Sequence, residues 1–540
     1  MKPLLQSRLV KILKALTKKE SIFLIIAALI FFGSAVTYGV SFVKANTYKV
    51  PVHGGTYREG IVGQPSFINP AIPTTETDRV LSSLIFANLY DMAETIKRSE
   101  DGKTWNVRLK EGITWHDEEK VTSDDIIFTV DIIQNPESRS PLGSSFEGVS
   151  TQRVSELEVK FTLQNPYAFF EEEHIKNLRP IPKHIFEDIP VTNLKVTPFG
   201  LNPVGSGPYE IVGHEKDRKG LITDLKLRSF DEYFEKEAYI KNLDFKFFKE
   251  EGDLISSYNL GQIDGFGLTN AEPITERSII IRNTPHYLNS SRYYAVFLNP
   301  SLVPESIQNI ETRRILFGSV NRETLVEDVL GGNGSEYYGP TPLSEDPGFE
   351  YSASSLSGLS FEMVVPDQSF LVKTAKQIEK DWELLGADVT LKISSLRDIQ
   401  EDILRNTNYQ MILFGNIVKE SNDLFAFWHS SKRFFPDQNL ALYQSDRVDS
   451  LLEQYRQTFD REEQIETLEA ISDQLEKDIP AIFLYSPHYV YVSIPSLGGF
   501  DDLRTINTSE DRFENITEWF VKSRRSFTNP HEEGEQLQSN

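Results

Sequence analysis

The chain contains no cysteine and only four methionines among its 540 residues. The absence of cysteine excludes disulfide frameworks, thiolate metal sites, cysteine nucleophiles and a lipid attached through an N-terminal cysteine. Basic residues are also scarce, because 56 Lys and Arg stand against 80 Asp and Glu, for a net charge of −24. Phosphate binding needs a basic surface, so this balance argues against nucleic acid as a partner. A content of 39% hydrophobic and 25% charged residues is ordinary for a globular protein.

The few basic residues are concentrated at the N-terminus. Residues 1–20 hold six of the 56 bases and one of the 80 acids, which leaves 50 bases and 79 acids, or −29, on the rest. Residues 21–43 carry no charge, and a helix of this length spans roughly 34 Å, enough to cross a hydrocarbon core of about 30 Å. The positive-inside rule predicts a cytoplasmic segment at 1–20 and a single-pass membrane anchor at 21–43, with the ectodomain outside the cytoplasm. The alternative is a cleaved signal peptide ending near Ala45, but the apolar run is longer than a signal peptide needs.

The exported part has the pattern of an α/β protein. Residues 44–52 indicate a short polar stalk, and residues 526–540 indicate a disordered tail. Strands are predicted at Trp105–Leu109 and Leu157–Leu163, and a capping box at Thr122–Asp125 precedes a helix at 124–133. Later residues alternate between helix and strand, which favours a layered structure with a largely parallel sheet. The elements predicted there are helices at 371–385, 396–404, 447–459 and 461–477, and strands at 389–393, 409–414, 481–485 and 489–493.

The sequence carries little sign of catalysis. It has no G-x-S-x-G elbow and no H-E-x-x-H motif, and its nine histidines are scattered. His174 follows three glutamates, a pattern that more often marks a solvated charged surface than a metal site. The glycine-rich stretches 205–207 and 331–334 lack the Lys-Ser/Thr of a phosphate loop and are predicted to be turns. No metal, cofactor or catalytic residue is predicted, although the many acids leave a carboxylate pair of the glycosidase type open.

A series of motifs resembles the signature of family 5 extracellular solute-binding proteins, the peptide- and nickel-type receptors of ABC importers. The most specific motif is DGKTWNVRLKEGITWHD at residues 101–117, followed by VTSDDIIFT at 121–129. By residue type its glycines suit hairpin turns and its tryptophans suit a sheet core, so it identifies a scaffold rather than a catalyst. Similar segments in the family's order are GGTY at 54–57, FINP at 67–70, PVGSGPY at 203–209, LGQID at 260–264, TRR to VNRE at 312–323, Trp428, and DIPAIFLY at 478–485.

The resemblance implies an α/β fold of two lobes that is periplasmic-binding-protein-like (class II, cluster C type), preceded here by the transmembrane helix. Lobe I is expected to comprise residues 51–88, 200–290 and 490–525, and lobe II residues 291–489. An extra subdomain on lobe I is expected at residues 89–199. The ligand is expected in the cleft between the lobes, which close by a hinge, and the protein is expected to act as a monomer.

The resemblance also points to a binding loop. In peptide-binding relatives the ligand pairs its backbone with strands of both lobes, and an acid in a loop after a lobe II strand binds the α-ammonium group. The matching loop here runs from Gly415 to Asp423, after the strand predicted at 409–414. It is one residue longer than the common form, so alignment from its end places the acid at Glu420 and alignment from its start places Lys419 there. Glu420 is therefore the predicted ammonium ligand, with Asp423 as the second choice.

Neighbouring residues complete the predicted site. Gly415 and Asn416 open the binding loop, and Phe425 and Trp428 follow it. These aromatic residues are candidates for a side-chain pocket, with packing in the protein core as the alternative. The leading hypothesis is a membrane-anchored receptor that hands a peptide-like ligand to ABC permease subunits. A receptor that senses or presents a ligand without transport, and an envelope hydrolase acting on peptides or glycans, are the alternatives.

Overall fold

The computed structural model describes residues 17–268, 272–274, 279–280, 285–342, 344–350, 356–500 and 504–527. The chain forms two compact units, one of residues 1–53 with 520–540 and the other of residues 54–519.

The elements are numbered along the chain. The strands are β1 Tyr48–Pro51, β2 Thr56–Val62, β3 Ala93–Arg98, β4 Thr104–Leu109, β5 Val149–Ser155, β6 Glu158–Leu163, β7 Tyr209–Lys216, β8 Ile222–Ser229, β9 Asn242–Phe248, β10 Gly265–Gly267, β11 His286–Ser290, β12 Arg292–Leu298, β13 Gly334–Glu336, β14 Ser360–Pro366, β15 Asp388–Ser394, β16 Met411–Ile417, β17 Ala481–Pro487, β18 Tyr489–Ser493, β19 Thr505–Ile506 and β20 Ser523–Ser526.

The helices are numbered in the same way. The α-helices are α1 Lys18–Ala45, α2 Glu76–Ile85, α3 Leu89–Met92, α4 Ser123–Gln134, α5 Lys183–Phe186, α6 Glu251–Asn259, α7 Glu305–Gln308, α8 Ile310–Gly318, α9 Arg322–Thr324, α10 Ser369–Glu383, α11 Leu396–Asp398, α12 Phe425–Trp428, α13 Asp446–Gln457 and α14 Arg461–Asp478. Short 3-10 segments occur at Pro136–Ser138, Val191–Val196, Pro198–Gly200, Ser430–Lys432, Ser509–Phe513 and Ile516–Glu518, and π turns at Glu171–Ile175, Leu325–Val329 and Ile399–Ile403.

The smaller unit contains the apolar helix. Helix α1 has 28 residues, includes the whole uncharged run 21–43, and by length and composition can cross a membrane. It begins at a capping box in which the Thr17 backbone N–H donates to the Glu20 carboxylate at 2.8 Å. This box satisfies orphan backbone donors of the first turn. The uncharged run predicted as a membrane anchor or a signal is thus a single helix.

The predicted stalk and tail both need correction in this unit. Strand β1, within the stalk at 44–52, pairs in antiparallel fashion with β20, so that Tyr48 lies opposite Ser526. The first residue of the predicted tail is therefore part of a strand, and residues 528–540 lie outside the described residues. Local composition could not reveal this pairing because the partner strand lies almost the whole chain length away.

The described residues of the larger unit form three sheets, and the first has eight strands. Its order is β19-β11-β18-β10-β2-β9-β8-β7, with β2 parallel to both β9 and β10. Tyr57, Leu225, Leu243 and Phe245 are completely buried in it. Strand β18, predicted at 489–493 among the later alternating elements, pairs with β10 and β11 in this sheet.

The second sheet has four antiparallel strands in the order β3-β4-β6-β5. The two strands predicted from alternation are confirmed as β4 and β6. The capping box is confirmed as well, because the Thr122 backbone N–H donates to Asp125 at 2.8 Å at the start of α4. Gly102 and Gly112 adopt φ of 70° and 81°, as the predicted hairpin turns require.

The third sheet has six strands in the order β13-β17-β12-β16-β14-β15. The prediction of a largely parallel sheet is only partly right, because β14 is parallel to β15 and β16 while β12 is antiparallel to both neighbours. Helix-strand alternation reports how consecutive elements are connected. It does not report that β12, which precedes the first of these helices, is inserted between β16 and β17.

Three differences in element bounds concern this region. The helix predicted at 396–404 is a short α11 continued by a π turn. The strand predicted to end at Phe414 extends to Ile417 as β16. At α14, Asp460 accepts from two backbone N–H groups as predicted, but Glu463 instead accepts from Gln454 and does not complete the box.

Candidate ligand-binding cleft

A cleft of about 1290 Å³ opens in the larger unit. Its walls come from residues 70–83 and 507–511 beside the eight-stranded sheet, residues 142–179 around the four-stranded sheet, and residues 417–457 after β16. The volume exceeds the roughly 300–1,000 Å³ of a typical small-molecule pocket. A ligand in this cleft therefore meets segments from all three sheet regions.

Asp423 lies in the cleft wall and already has protein partners. Its Oδ2 lies 3.0 Å from Nε of Arg456 and accepts a hydrogen bond from the Tyr167 hydroxyl at 2.8 Å. Its Oδ1 accepts from the Phe425 backbone N–H at 3.2 Å, just as α12 begins. With a side chain only 13% exposed, this carboxylate is neutralised and largely shielded by the protein itself.

The guanidinium of Arg456 lies between two aromatic rings. It is 4.7 Å from the ring centroid of Tyr167 and 4.4 Å from that of Phe425, and both rings line the cleft. Burial acts to lower the pKa of Arg456, but Asp423 and Tyr167 raise it overall above its ordinary value. Burial, and after it the charge of Asp423, raises the pKa of Tyr167. Arg456 is therefore a permanent cation and Tyr167 a permanent hydrogen-bond donor in this wall.

A second ion pair lies in the same wall. Nζ of Lys419 is 2.5 Å from Oε2 of Glu173, and the Ser421 hydroxyl donates to Oε1 of Glu173 at 2.8 Å. The Lys419–Glu173 pair connects residues 418–424 to residues 165–177, which follow β6, and the Asp423–Arg456 pair connects residues 418–424 to the end of α13. The Ala168 backbone N–H also donates to the Arg456 carbonyl at 2.7 Å, and the Phe169 and Tyr455 rings pack 5.0 Å apart.

The predicted site residues fall in different places. Asp423 and Phe425 line the cleft, whereas Glu420 is exposed and is not among the lining residues. Gly415 and Asn416 belong to β16 rather than to the loop, because the strand continues to Ile417 and pairs with β12.

Gly415, Asn416 and Trp428 have packing roles. A Cβ on Gly415 would lie 2.8 Å from the Tyr294 ring, and the Asn416 amide donates to the Tyr293 hydroxyl at 3.3 Å. Trp428 has no exposed surface and packs against Phe483 in the core of the six-stranded sheet, with ring centroids 6.0 Å apart. Trp428 therefore packs in the protein core, which was the alternative to a role in a side-chain pocket.

His174 is part of the cleft wall and not of a solvated surface. Its Nε2 lies 2.7 Å from the Ser145 carbonyl, and its ring stacks on Phe170 with centroids 4.9 Å apart. Burial lowers its pKa, so the ring is neutral at pH 7. Among the described residues no group of three or more His, Asp or Glu could hold a metal ion.

The opposite wall carries a different set of polar groups. Arg79 lies 3.4 Å from Glu510, and burial raises the pKa of Glu510. Within the described part of the chain, the Ser82 hydroxyl, Oδ1 of Asn507 and Oε2 of Glu510 are buried without a hydrogen-bond partner. All three residues line the cleft, so these unsatisfied polar atoms lie in its wall.

Sequence reasoning missed Tyr167, Glu173 and Arg456. Tyr167 lies 256 positions from Asp423, and no local pattern connects them. Arg456 belongs to a helix whose polar residues resemble any solvated surface. Lys419 was the one indication in the sequence that this wall is unusual. Alignment from the start of the loop places this cation where relatives have an acid.

The mixed α/β sheets around a shared cleft match the fold of periplasmic binding proteins. Residues 89–355 match the family described as "Bacterial extracellular solute-binding proteins, family 5 Middle". The chain is also 22% identical over 515 residues to the oligopeptide-binding protein AppA of Bacillus subtilis, covering 87% of this chain and 92% of that protein. Residues 89–355 therefore match this family, and the chain is similar over most of its length to a relative named for oligopeptide binding.

Solved structures share the fold. AppA of Bacillus subtilis in complex with a nonapeptide superposes with a TM-score of 0.68, at 22% identity over 88% of this chain and 100% of that one. The ABC transporter substrate-binding protein CtaP of Listeria monocytogenes gives 0.74, at 21% identity over 87% and 99%. NikZ of Campylobacter jejuni in complex with Ni(L-His) gives 0.68, at 20% identity over 86% and 99%. The shared fold thus accommodates different ligand chemistries.

Proposed function

We propose that the chain is an extracytoplasmic receptor that binds a peptide-like ligand in the cleft and hands it to the permease subunits of an ABC transporter. The observation that carries the proposal is the cleft of about 1290 Å³ lined from all three sheet regions. A ligand that contacts every wall stabilises the closed arrangement, and hinge closure is the signal that a permease can recognise. Relatives named for oligopeptides and dipeptides favour peptide over another solute.

The proposed lobes follow the sheets. We place the eight-stranded sheet in lobe I, at residues 51–88, 200–290 and 490–525, and the four-stranded sheet in the subdomain at 89–199. The six-stranded sheet falls in lobe II at 291–489, and strands β11 and β12 meet at this boundary. The chain therefore passes between the lobes near residues 291 and 489, where we place the hinge.

Phe425 is the residue of the predicted set that we propose as a direct ligand contact, because it lines the cleft, and we propose that Asp423, which also lines the cleft, holds Arg456 in place there. Glu420 as the ligand of an α-ammonium group stays a prediction. An exposed carboxylate contributes little to an ion pair because water screens it. Replacing Glu420 by Gln and measuring peptide affinity by calorimetry tests this assignment.

Native mass spectrometry of the full-length chain in detergent micelles tests the ligand class. We expect peptides to be retained by the folded protein and released intact on denaturation. A co-purified sugar or metal chelate instead of a peptide would contradict the proposal. Incubation with added peptide tests the hydrolase alternative, because a receptor returns its ligand uncleaved whereas an enzyme converts it.

The membrane anchor and the permease need their own measurements. We propose that α1 remains attached and tethers the receptor, since tethering raises its effective concentration at a membrane permease. The intact mass of the protein isolated from membranes distinguishes an uncleaved chain from one that begins after Ala45. Co-purification of permease subunits with the full-length chain tests delivery, and their absence favours a sensing or presenting role.

A further inference from the structure

The ion pairs in the cleft wall at residues 418–424 determine which ligand end can bind there. Asp423 has Arg456 at 3.0 Å and the Tyr167 hydroxyl at 2.8 Å, and Glu173 has Lys419 at 2.5 Å. The two acids and two cations all line the cleft. These four groups are therefore electrically neutral as a set, and both acids already have a cation from the protein.

The two carboxylates are less accessible than the cations that pair with them. The side chains of Asp423 and Glu173 are 13% and 15% exposed, whereas those of Arg456 and Lys419 are 33% and 43% exposed. Both oxygens of each carboxylate also have a neighbour, because Asp423 Oδ1 accepts from Phe425 and Glu173 Oε1 accepts from Ser421. A ligand that reaches this wall therefore meets cationic donors before it meets acids.

A free amino terminus of a peptide fits this wall poorly. Its ammonium group would have to displace Arg456 or Lys419, and the displaced cation would remain close by. Like charges held together in a partly buried site are unfavourable, and an ammonium group loses its hydration there while Asp423 and Glu173 remain shared with their own cations. A carbonyl oxygen has the opposite preference, since arginine and lysine offer N–H donors and accept nothing.

Resting on the peptide-receptor function proposed above, we propose that this end of the cleft selects ligands whose terminus carries a carbonyl acceptor and no ammonium group, as in an N-acylated peptide. Arg456 and Lys419 are the residues that determine this specificity. Phe425 and Tyr167, whose rings flank Arg456, hold its guanidinium in place.

The test is a competition on the full-length chain in detergent micelles. One mixture of tri- to hexapeptides is synthesised with free amino termini and again with acetylated termini, and native mass spectrometry counts which members are retained. We expect the acetylated set to be retained at least about tenfold better, a ratio that corresponds to about 1.4 kcal/mol. Equal retention, or preference for the free termini, overturns the proposal.

Variants identify the residues responsible. The double substitution Arg456→Gln and Lys419→Gln leaves Asp423 and Glu173 without their cations, and should shift the ratio at least about tenfold toward free termini. Lys419→Gln alone alters a more exposed side chain, so we expect this variant to fold. It should shift the ratio in the same direction by a smaller factor. An unchanged ratio in both variants overturns the assignment.

A matched control and an alternative acid complete the design. Lys226 pairs with Glu215 at 2.7 Å and is not among the residues that line the cleft, so Lys226→Gln should leave the ratio unchanged. If Glu420→Gln lowers retention of the free-terminus set, Glu420 binds the ammonium group and the proposal is wrong. If neither set is retained and a sugar or metal chelate is found instead, the peptide-receptor function itself fails, which differs from a peptide receptor with the other preference.

Discussion

The carboxylate of Glu59 and the guanidinium of Arg512 lie 3.0 Å apart, Oε1 to Nη2, with side chains only 0% and 4% exposed. The Tyr491 hydroxyl donates to the other carboxylate oxygen at 2.7 Å, and its oxygen lies 2.8 Å from that of Tyr57. This network joins β2 and β18 to the 3-10 segment Ser509–Phe513. Since Glu510 and Asp511 of that segment line the cleft, a buried ion pair fixes one of the cleft walls.

Replacing Arg512 by Met should therefore destabilise the protein strongly. Removing one partner of a buried pair leaves an uncompensated charge, which typically costs about 3–5 kcal/mol. Chemical denaturation followed by tryptophan fluorescence measures the loss in free energy of unfolding. The control is Lys226→Met, which breaks an exposed pair with Glu215 and should have no measurable effect. Similar results for both variants would mean that the buried pair contributes nothing beyond a surface one.

Gly205 is predicted to tolerate no side chain. A Cβ there would lie 1.9 Å from the Ile85 carbonyl oxygen, which accepts from the backbone N–H groups of Ser206 and Gly207 at 3.0 and 2.8 Å. Gly205→Ala forces the backbone apart, and we expect a loss of about 3 kcal/mol or more, seen as little folded protein or an early denaturation midpoint. Gly213→Ala is the control, because no atom lies within 4 Å of a Cβ at that position of β7. Wild-type stability in Gly205→Ala would contradict this packing.

Replacing Trp428 should mainly reduce stability, whereas replacing Phe425 should mainly reduce ligand binding. Trp428→Ala removes a fully buried ring and should cost about 3–5 kcal/mol. Trp428→Phe keeps part of the packing and loses no protein hydrogen bond, since Nε1 has no partner among the described residues, and should retain co-purified ligand at the wild-type level. Phe425→Ala should instead reduce retained ligand with a smaller loss of stability. Native mass spectrometry measures the retained ligand, and chemical denaturation measures the stability. A reduced amount of ligand in Trp428→Phe would mean that Trp428 contacts the ligand.

His174 should make the protein sensitive to acid. Burial depresses its pKa in the folded state below the unfolded value of about 6.5. A depressed pKa contributes stability that is present above the unfolded pKa and is lost as pH falls through the folded one. The denaturant concentration at the unfolding midpoint should therefore decrease as the pH is lowered from 7.5 to 5.

His174→Gln should flatten that dependence while keeping a donor for the Ser145 carbonyl. His116 and His488, whose pKa values burial also lowers, leave a residual slope. His214→Gln, on the exposed part of β7, should keep the wild-type slope. If His174→Gln shows the same slope as the wild type, protonation of His174 does not limit acid stability.

Local signals in the sequence were reliable where the structure depends on neighbours along the chain. The capping box at Thr122 and Asp125 and the turns at Gly102 and Gly112 all form as predicted. The glycines at 205–207 were only partly understood. Neither Gly205 nor Gly207 has a positive φ, and both are needed because the Ile85 carbonyl approaches so closely. That contact joins residues 120 positions apart, so no local rule could supply it.

The binding site shows the same limit. The loop that ends at Asp423 can be located from the sequence alone, but the residue at which β16 ends cannot. The three further residues pair with β12, whose position in the sheet is a tertiary property. The sequence also gave no means of pairing Asp423 with Arg456, or Glu173 with Lys419, because these contacts exist only once separate segments pack together.

By itself, the sequence determined the apolar N-terminal helix, the separation of charge around it, the α/β class and the resemblance to a receptor family. Each of these rests on composition, on short-range periodicity or on contiguous motifs. The tertiary structure alone decided the mixed order of the six-stranded sheet, the burial of Trp428, and the ion pairs that neutralise the acids at one end of the cleft. An ion pair depends on distances of a few ångströms between side chains far apart in the chain, and sequence spacing does not encode such distances.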